Sequence, residues 1–143
     1  MRDIENYAMP YITALMRGDR IILEPAHHYA VAAFLSLVAV RIDISNGTAH
    51  AVPPTDYQTL IRRREPGPSW KIWMKYVEGP GDDYAYRHFP MALKSFPIGK
   101  FETLSAAEIA AGPDDTNTQV TTIVVGRLCA RIFSSTVYDD FVR

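Results

Sequence analysis

The sequence has few of the residues and none of the motifs that usually identify an enzyme or a metal site. Its 143 residues include one cysteine, Cys129, and four histidines, with no glycine-rich phosphate loop, no serine-nucleophile motif and no calcium-loop spacing. A single cysteine cannot form a disulfide within the chain, which suits a reducing compartment, so we expect a cytoplasmic protein. We also expect a non-catalytic protein with no cofactor and no metal.

The sequence also lacks signs of export or of membrane insertion. Residues 1–6 mix acids with one arginine and lead into no apolar signal segment. The longest apolar run, Tyr29 to Val40, is shorter than the roughly 20 residues that a membrane-spanning helix needs. We therefore expect no membrane partner, and the run predicts a helix in the protein core.

Length and composition predict one domain, residues 1–143, with its own hydrophobic core. Hydrophobic residues make up 48% of the chain and charged residues 22%, which is ordinary for a globular protein. Apolar residues recur with a helical period up to about residue 65, and they alternate with a strand period from about 69 to 135. The sequence thus predicts an α+β fold, in which N-terminal helices pack on a small, mainly antiparallel sheet formed by the C-terminal half.

Three helices are predicted in the first half. Pro10 lies inside the first helix and should kink it or divide it, and Gly18 should end it. The second runs from Pro25 to about Asp43, is apolar on nearly all sides and is expected to pack on the sheet. The third ends at Arg62–Arg64.

The second half predicts strands and one short helix. A strand begins after Ser69, and a second, Tyr84–Phe89, is expected to pair with it as a hairpin. The helix is expected to begin at Ser105. Residues Gln119–Phe133 are rich in Val, Ile and Thr, and we interpret them as one long strand bent at Gly126, with a tight reversal as the alternative.

Alternation in the strands predicts a basic surface with an exposed aromatic ring. Residues 61–100 carry eight bases and four acids, whereas both flanking regions are acidic. If Trp70, Ile72 and Met74 face the core, their neighbours face outward. Such a face could bind phosphates and stack a base, or it could receive an acidic protein; the alternative is a solvated face on which Trp73 is covered. The candidate binding residues are Lys71, Trp73, Lys75, Arg87, Arg127 and Arg131.

Two other classes of function compete with a binding module. One is a small enzyme whose site is assembled only on folding, around His50 or His88, next to carboxylates in a pocket. The other is a structural or oligomerisation domain, and the oligomeric state is left open. His27 and His28 are adjacent, so on a helix they point in different directions and cannot chelate one ion as an i, i+4 pair would.

A series of short motifs runs in order along most of the chain. They are Met1-Arg2-Asp3-Ile4-Glu5-Asn6, Gly18-Asp19, Glu24-Pro25-Ala26, Val52-Pro53-Pro54, Arg64-Glu65-Pro66, Ile72-Trp73, Ile98-Gly99 and Val125-Gly126-Arg127-Leu128. In this order they resemble the segment that follows the nuclease module in bacterial and phage HNH-endonuclease-like proteins. In those proteins a Gly-Asp or Gly-Glu link, a Pro-initiated apolar helix, a Pro-Pro helix and a Trp-containing strand follow one another.

The resemblance implies an accessory module and no nuclease. The zinc-binding cysteines and HNH residues that precede this segment in the resembling proteins have no counterpart here, so no nuclease residue carries over. What the resemblance implies is a free-standing module of a phage or another mobile element that engages nucleic acid or a nuclease complex. An inhibitor of a nuclease, of the anti-CRISPR kind, is compatible with it.

Overall fold

The computed structural model describes residues 2–46, 50–78, 84–93, 105 and 116–137. It confirms the α+β class, since three helices are followed by a four-stranded antiparallel sheet in the C-terminal half. The helix expected from Ser105 falls outside the described residues, apart from Ser105 itself. The elements are α1 (Arg2–Arg17), α2 (Pro25–Ser45), α3 (Pro54–Arg63), β1 (Trp70–Tyr76), β2 (Tyr84–Met91), β3 (Thr118–Val125) and β4 (Leu128–Ser135).

Helix α1 is continuous through Pro10, so the alternative of two short helical pieces does not occur. It ends as predicted at Gly18, whose φ of 81° is a left-handed conformation that glycine adopts without steric cost. The Gly18 N–H donates to the Leu15 carbonyl at 3.1 Å, and the Asp19 N–H donates to the Ala14 carbonyl at 3.0 Å. This pair of bonds closes the last turn of the helix.

Helix α2 is the central helix of the core. Pro25 occupies its first turn, and apolar residues lie on nearly all of its sides, because it packs against α1, α3 and the sheet. With 21 residues it is long and apolar enough to cross a membrane by length and composition alone, and half of that stretch is buried inside the fold. The core helix of a soluble protein passes the same test, which makes this weak evidence for a membrane span.

The order of strands in the sheet is β1-β4-β3-β2, and every neighbouring pair is antiparallel. The expected hairpin of β1 with β2 is therefore wrong, since these two strands lie at opposite edges. Only Gly126 and Arg127 separate β3 from β4, so those two strands form the hairpin and occupy the centre. β1 then pairs with the free side of β4, and β2 pairs with the free side of β3.

The reversal at Gly126 also corrects the interpretation of one long bent strand. Gly126 has a φ of 57°, which permits a two-residue turn between the strands. The Arg127 N–H donates to the Met16 carbonyl of α1 at 2.8 Å, and the Arg127 carbonyl accepts from the Val77 N–H at 2.9 Å. The turn is therefore held between the end of α1 and the end of β1.

One face of the sheet, the inner face, packs against the helices. Helices α1 and α2 contact β4, and α2 also contacts β2. Ala130 and Ile132 on the inner side of β4 have no solvent exposure, and Trp70 is buried at the start of β1. The opposite side of the sheet is the outer face, and its strands present the candidate binding residues.

Candidate binding surface

Every lysine and arginine of the sheet lies on the outer face. The four strands contain Lys71, Lys75, Arg87 and Arg131 and no Asp or Glu. Side chains alternate between the two faces of a strand, so the register of the pairs decides which residues share a face. It places these four cations on the side opposite Trp70, Ile132 and the helices.

A single row of side chains crosses the outer face from one edge to the other. Trp73 of β1 pairs with Arg131 of β4, Arg131 pairs with Thr122 of β3, and Thr122 pairs with Arg87 of β2. With neighbouring strands about 4.8 Å apart, the two arginines lie roughly 10 Å apart and the indole flanks Arg131. The row places an aromatic ring and two guanidinium groups on one line.

The neighbouring rows add aromatic side chains. In the register Lys71 pairs with Phe133, Phe133 with Val120, and Val120 with Phe89. Trp73 is 56% exposed and Phe89 is 55% exposed, whereas Phe133 is half-buried. Large apolar groups at this exposure, next to cations, are typical of a surface that contacts a partner.

Three cations of this face, Lys75, Arg87 and Arg131, have no acidic partner among the described residues. In the part of the chain that the structure describes, no carboxylate lies within ion-pair distance of Lys75, Arg87 or Arg131. A cavity of about 420 Å³ lies beside Trp73 and is also lined by Lys75 and Arg131. The side of the sheet turned away from the helices is thus positively charged and concave at the β1 edge.

Five of the six candidate residues come together, and Arg127 does not. Arg127 lies in the turn between β3 and β4, where strand alternation does not apply. Its guanidinium carbon sits 5.8 Å from the ring centre of Tyr76, which belongs to the inner side of β1. The expectation that Arg127 shares the outer face is therefore wrong, because the tight turn directs it toward the end of α1.

Folding also brings His88 into contact with the carboxylate of Asp43. A histidine next to a carboxylate is what the alternative of a small enzyme requires. His88 Nε2 lies 3.1 Å from Asp43 Oδ1, and its Nδ1 lies 2.7 Å from Thr121 Oγ1. Asp43 also accepts hydrogen bonds from the backbone N–H groups of Ala51, at 3.1 and 3.2 Å, and Val52, at 3.2 Å. We call Asp43, His88 and Thr121 the buried polar cluster.

The contacts of the buried polar cluster are those of a group that holds elements of the fold together. The side chains of Asp43 and His88 are each 1% exposed, and Thr121 is fully buried. A catalytic group must touch its substrate, whereas this cluster connects α2 with β2, β3 and the segment before α3. His50 is exposed and its Nδ1 lies 3.1 Å from the backbone carbonyl of Asp43. An enzyme site around His50 or His88 stays a prediction.

Three features of the sites escaped the sequence analysis. Asp43 marks the predicted end of an apolar helix, and a carboxylate that is buried there requires a hydrogen-bonding partner. Phe89 was not placed on the outer face, although it lies two positions from Arg87 and so shares its side. The role of His27 was also missed: its ring stacks on Tyr11 at 4.3 Å, and its Nδ1 accepts from the Glu24 N–H at the start of α2.

The chain matches no protein-family model, no curated protein and no solved structure.

Proposed function

We propose that the protein is a binding module that holds single-stranded nucleic acid on the outer face of its sheet. The observation that supports this most directly is the placement of all four strand cations on one face, while the four described strands contain no carboxylate. Phosphates would neutralise Lys75, Arg87 and Arg131, which have no carboxylate within ion-pair distance in the described part of the chain. The cross-strand row that contains Trp73 would be the centre of the contact.

Aromatic rings on this face favour unpaired bases over duplex DNA. Trp73 and Phe89 expose more than half of their surface, and every base has a flat face that can stack on such a ring. In a duplex the bases already stack on one another, so exposed rings gain little there. Four-stranded sheets that carry aromatic residues are a known platform for unpaired RNA bases.

An acidic protein is the competing partner for the same face. The positive charge of the face suits both partners. Only a ligand that alternates flat apolar groups with anions, as a nucleic-acid strand does, can both stack on the two exposed rings and contact the cations. The resemblance to the segment that follows the nuclease module in HNH-endonuclease-like proteins implies a biological context. In that context the module accompanies or inhibits a nuclease complex and contacts its nucleic acid.

The test is fluorescence anisotropy with labelled twelve-nucleotide single strands of DNA and of RNA, and with the matching duplex. We expect the single strands to bind more tightly than the duplex. For a single strand, the logarithm of the binding constant falls with the logarithm of salt by about 0.7 per phosphate contact, so four cations predict a slope of about −3. The double variant Arg87→Gln/Arg131→Gln should reduce that slope by roughly 1.4.

A matched control removes the same charge elsewhere. Arg62 and Arg63 are exposed on α3 and do not belong to the outer face, so Arg62→Gln/Arg63→Gln should leave affinity and slope unchanged. Trp73→Ala should weaken binding by about 1–3 kcal/mol if a base stacks there, while Trp73→Phe should retain most of the affinity. Equal effects of the two double variants would reject the proposal. Binding of polyglutamate in place of every oligonucleotide would favour the acidic-protein alternative.

A further inference from the structure

The free edge of β1 is a second surface that the outer-face proposal does not use. Among the described residues, β1 is the last strand on its side of the sheet and pairs only with β4. The Val77 N–H donates to the Arg127 carbonyl, and backbone groups alternate in direction along an antiparallel strand. The backbone groups of Ile72, Met74 and Tyr76 therefore point away from β4.

These edge groups are available for pairing. Within the described residues, no backbone or side-chain group outside the sheet ladder is hydrogen-bonded to Ile72, Met74 or Tyr76. Met74 is 40% exposed and Tyr76 is 58% exposed, so the edge is open to solvent over the second half of the strand. An open edge of this kind is a template for another strand.

A cavity lies on each side of this edge. The cavity on the outer face contains Trp73 and Arg131, and a second cavity of about 560 Å³ on the helix side contains Arg20 and Arg127. Met74 and Lys75 line both. Side chains of a strand added to β1 would point alternately to the two faces, and each set would meet one cavity.

The positive charge of both cavities favours an added strand with acidic side chains. Lys75 and Arg131 stand in the outer cavity, and Arg20, Lys75 and Arg127 line the inner one, where Asp19 is the one carboxylate among the described residues. We propose that the β1 edge binds an extended acidic peptide of a partner protein by strand addition. This proposal shares Lys75 and Arg131 with nucleic-acid binding on the outer face, but it depends on backbone pairing at the β1 edge, which nucleic-acid binding does not need.

A second copy of the chain suits this edge less well. Pairing of two β1 strands would bring Lys71, Lys75 and the arginines of both copies to one seam, where like charges repel. Lysines on an edge strand also discourage self-association while they leave the backbone open to an acidic strand. Dimer formation is therefore an outcome that would contradict the proposal.

The test uses a labelled eight-residue peptide of Glu, Val and Thr, with two consecutive Glu residues so that one carboxylate reaches each cavity. Amide hydrogen exchange of the full chain is measured by NMR with and without peptide. We expect slower exchange at Ile72, Met74 and Tyr76, and little change at Trp73 and Lys75, whose amides already face β4. Unchanged exchange at the first three would overturn the proposal.

A matched pair of variants isolates the backbone contact. Met74→Pro removes the N–H group that faces the edge and leaves the hydrogen bonds to β4 intact. Met74→Ala also removes the methionine side chain but keeps that N–H group. We expect at least tenfold weaker peptide binding for Met74→Pro than for Met74→Ala, with nucleic-acid binding equal in both. Equal peptide affinities in two folded variants would contradict strand addition.

Two further measurements keep the proposal testable if Met74→Pro does not fold. A peptide N-methylated at alternate positions loses its own edge donors and should bind the unaltered protein at least tenfold more weakly. Light scattering after size-exclusion chromatography should show a monomer, and a dimer whose formation protects the β1 edge would assign that edge to a second copy.

Discussion

Removing the Asp43 carboxylate is expected to be among the most destabilising single changes in this protein. Three donors converge on it: His88 Nε2 at 3.1 Å and the backbone N–H groups of Ala51 and Val52. A buried donor left without its acceptor costs about 1–3 kcal/mol, so the loss of three such bonds together is expected to cost about 3–5 kcal/mol. We therefore expect Asp43→Ala to lower the free energy of unfolding by about that amount.

Urea denaturation measures the effect. With a slope of about 2 kcal/mol per molar urea, a loss of about 4 kcal/mol lowers the midpoint by roughly 2 M. Asp56→Ala serves as the comparison, since Asp56 lies in the first turn of α3 and is not part of the buried polar cluster. We expect its cost to stay below about 1 kcal/mol.

A double-mutant cycle separates the Asp43–His88 contact from the loss of packing. The single variants Asp43→Ala and His88→Ala and the double variant should give a coupling energy of about 2 kcal/mol, as expected for a hydrogen bond to a charged group. Additivity within about 0.5 kcal/mol would show that the contact contributes nothing and would refute this reasoning.

Two more predictions concern backbone and side-chain groups at defined positions. Gly18→Ala should destabilise the protein by about 1–2 kcal/mol, because φ is 81° and the new Cβ would lie 2.9 Å from Tyr76 Cε2. Gly67→Ala is its control, since there the Cβ would meet only Trp70 Cδ1 at 3.7 Å, and thermal unfolding should show little change. Ser36→Ala should stabilise the protein by about 1 kcal/mol in urea denaturation, because the buried Ser36 hydroxyl has no hydrogen-bond partner among the described residues. Ser45→Ala, at the exposed end of the same helix, should change stability by less than half as much, and a loss of stability in Ser36→Ala would show that its hydroxyl is satisfied.

Side-chain alternation could be predicted from the sequence because it is local. The assignment of Trp73 to the outer face and Ile72 to the inner face holds for any pairing partner, since each depends only on position within β1. Pairing itself depends on contacts far along the chain. The sequence therefore indicated the faces of β1 correctly and its partner wrongly.

The hairpin of β3 and β4 shows a second limit. Apolar residues continue on both sides of Gly126, so the local signal is a single glycine that fits a bulge, a bend or a reversal equally. The bond from the Arg127 N–H to the Met16 carbonyl of α1 is one of the contacts that hold the reversal. That contact depends on where α1 ends in space, which local pattern does not specify.

The buried polar cluster could not be predicted from the sequence for a related reason. Asp43 and His88 lie far apart in sequence, and His88 has no acidic residue beside it that would indicate a partner. They meet only because β2 packs at an edge of the sheet beneath the end of α2. The sequence placed His88 in a strand, but the register that turns it inward required the sheet order.

The strand order also predicts the sequence of events during folding. The β3–β4 hairpin is closed by two residues and can form within microseconds. Pairing of β1 with β4 joins residues that are far apart in sequence, such as Trp70 and Ser134, and is therefore slower. The hairpin would thus serve as the nucleus onto which the two outer strands dock late. Substitutions at Gly126 should mainly slow refolding, and substitutions in β1 should mainly accelerate unfolding.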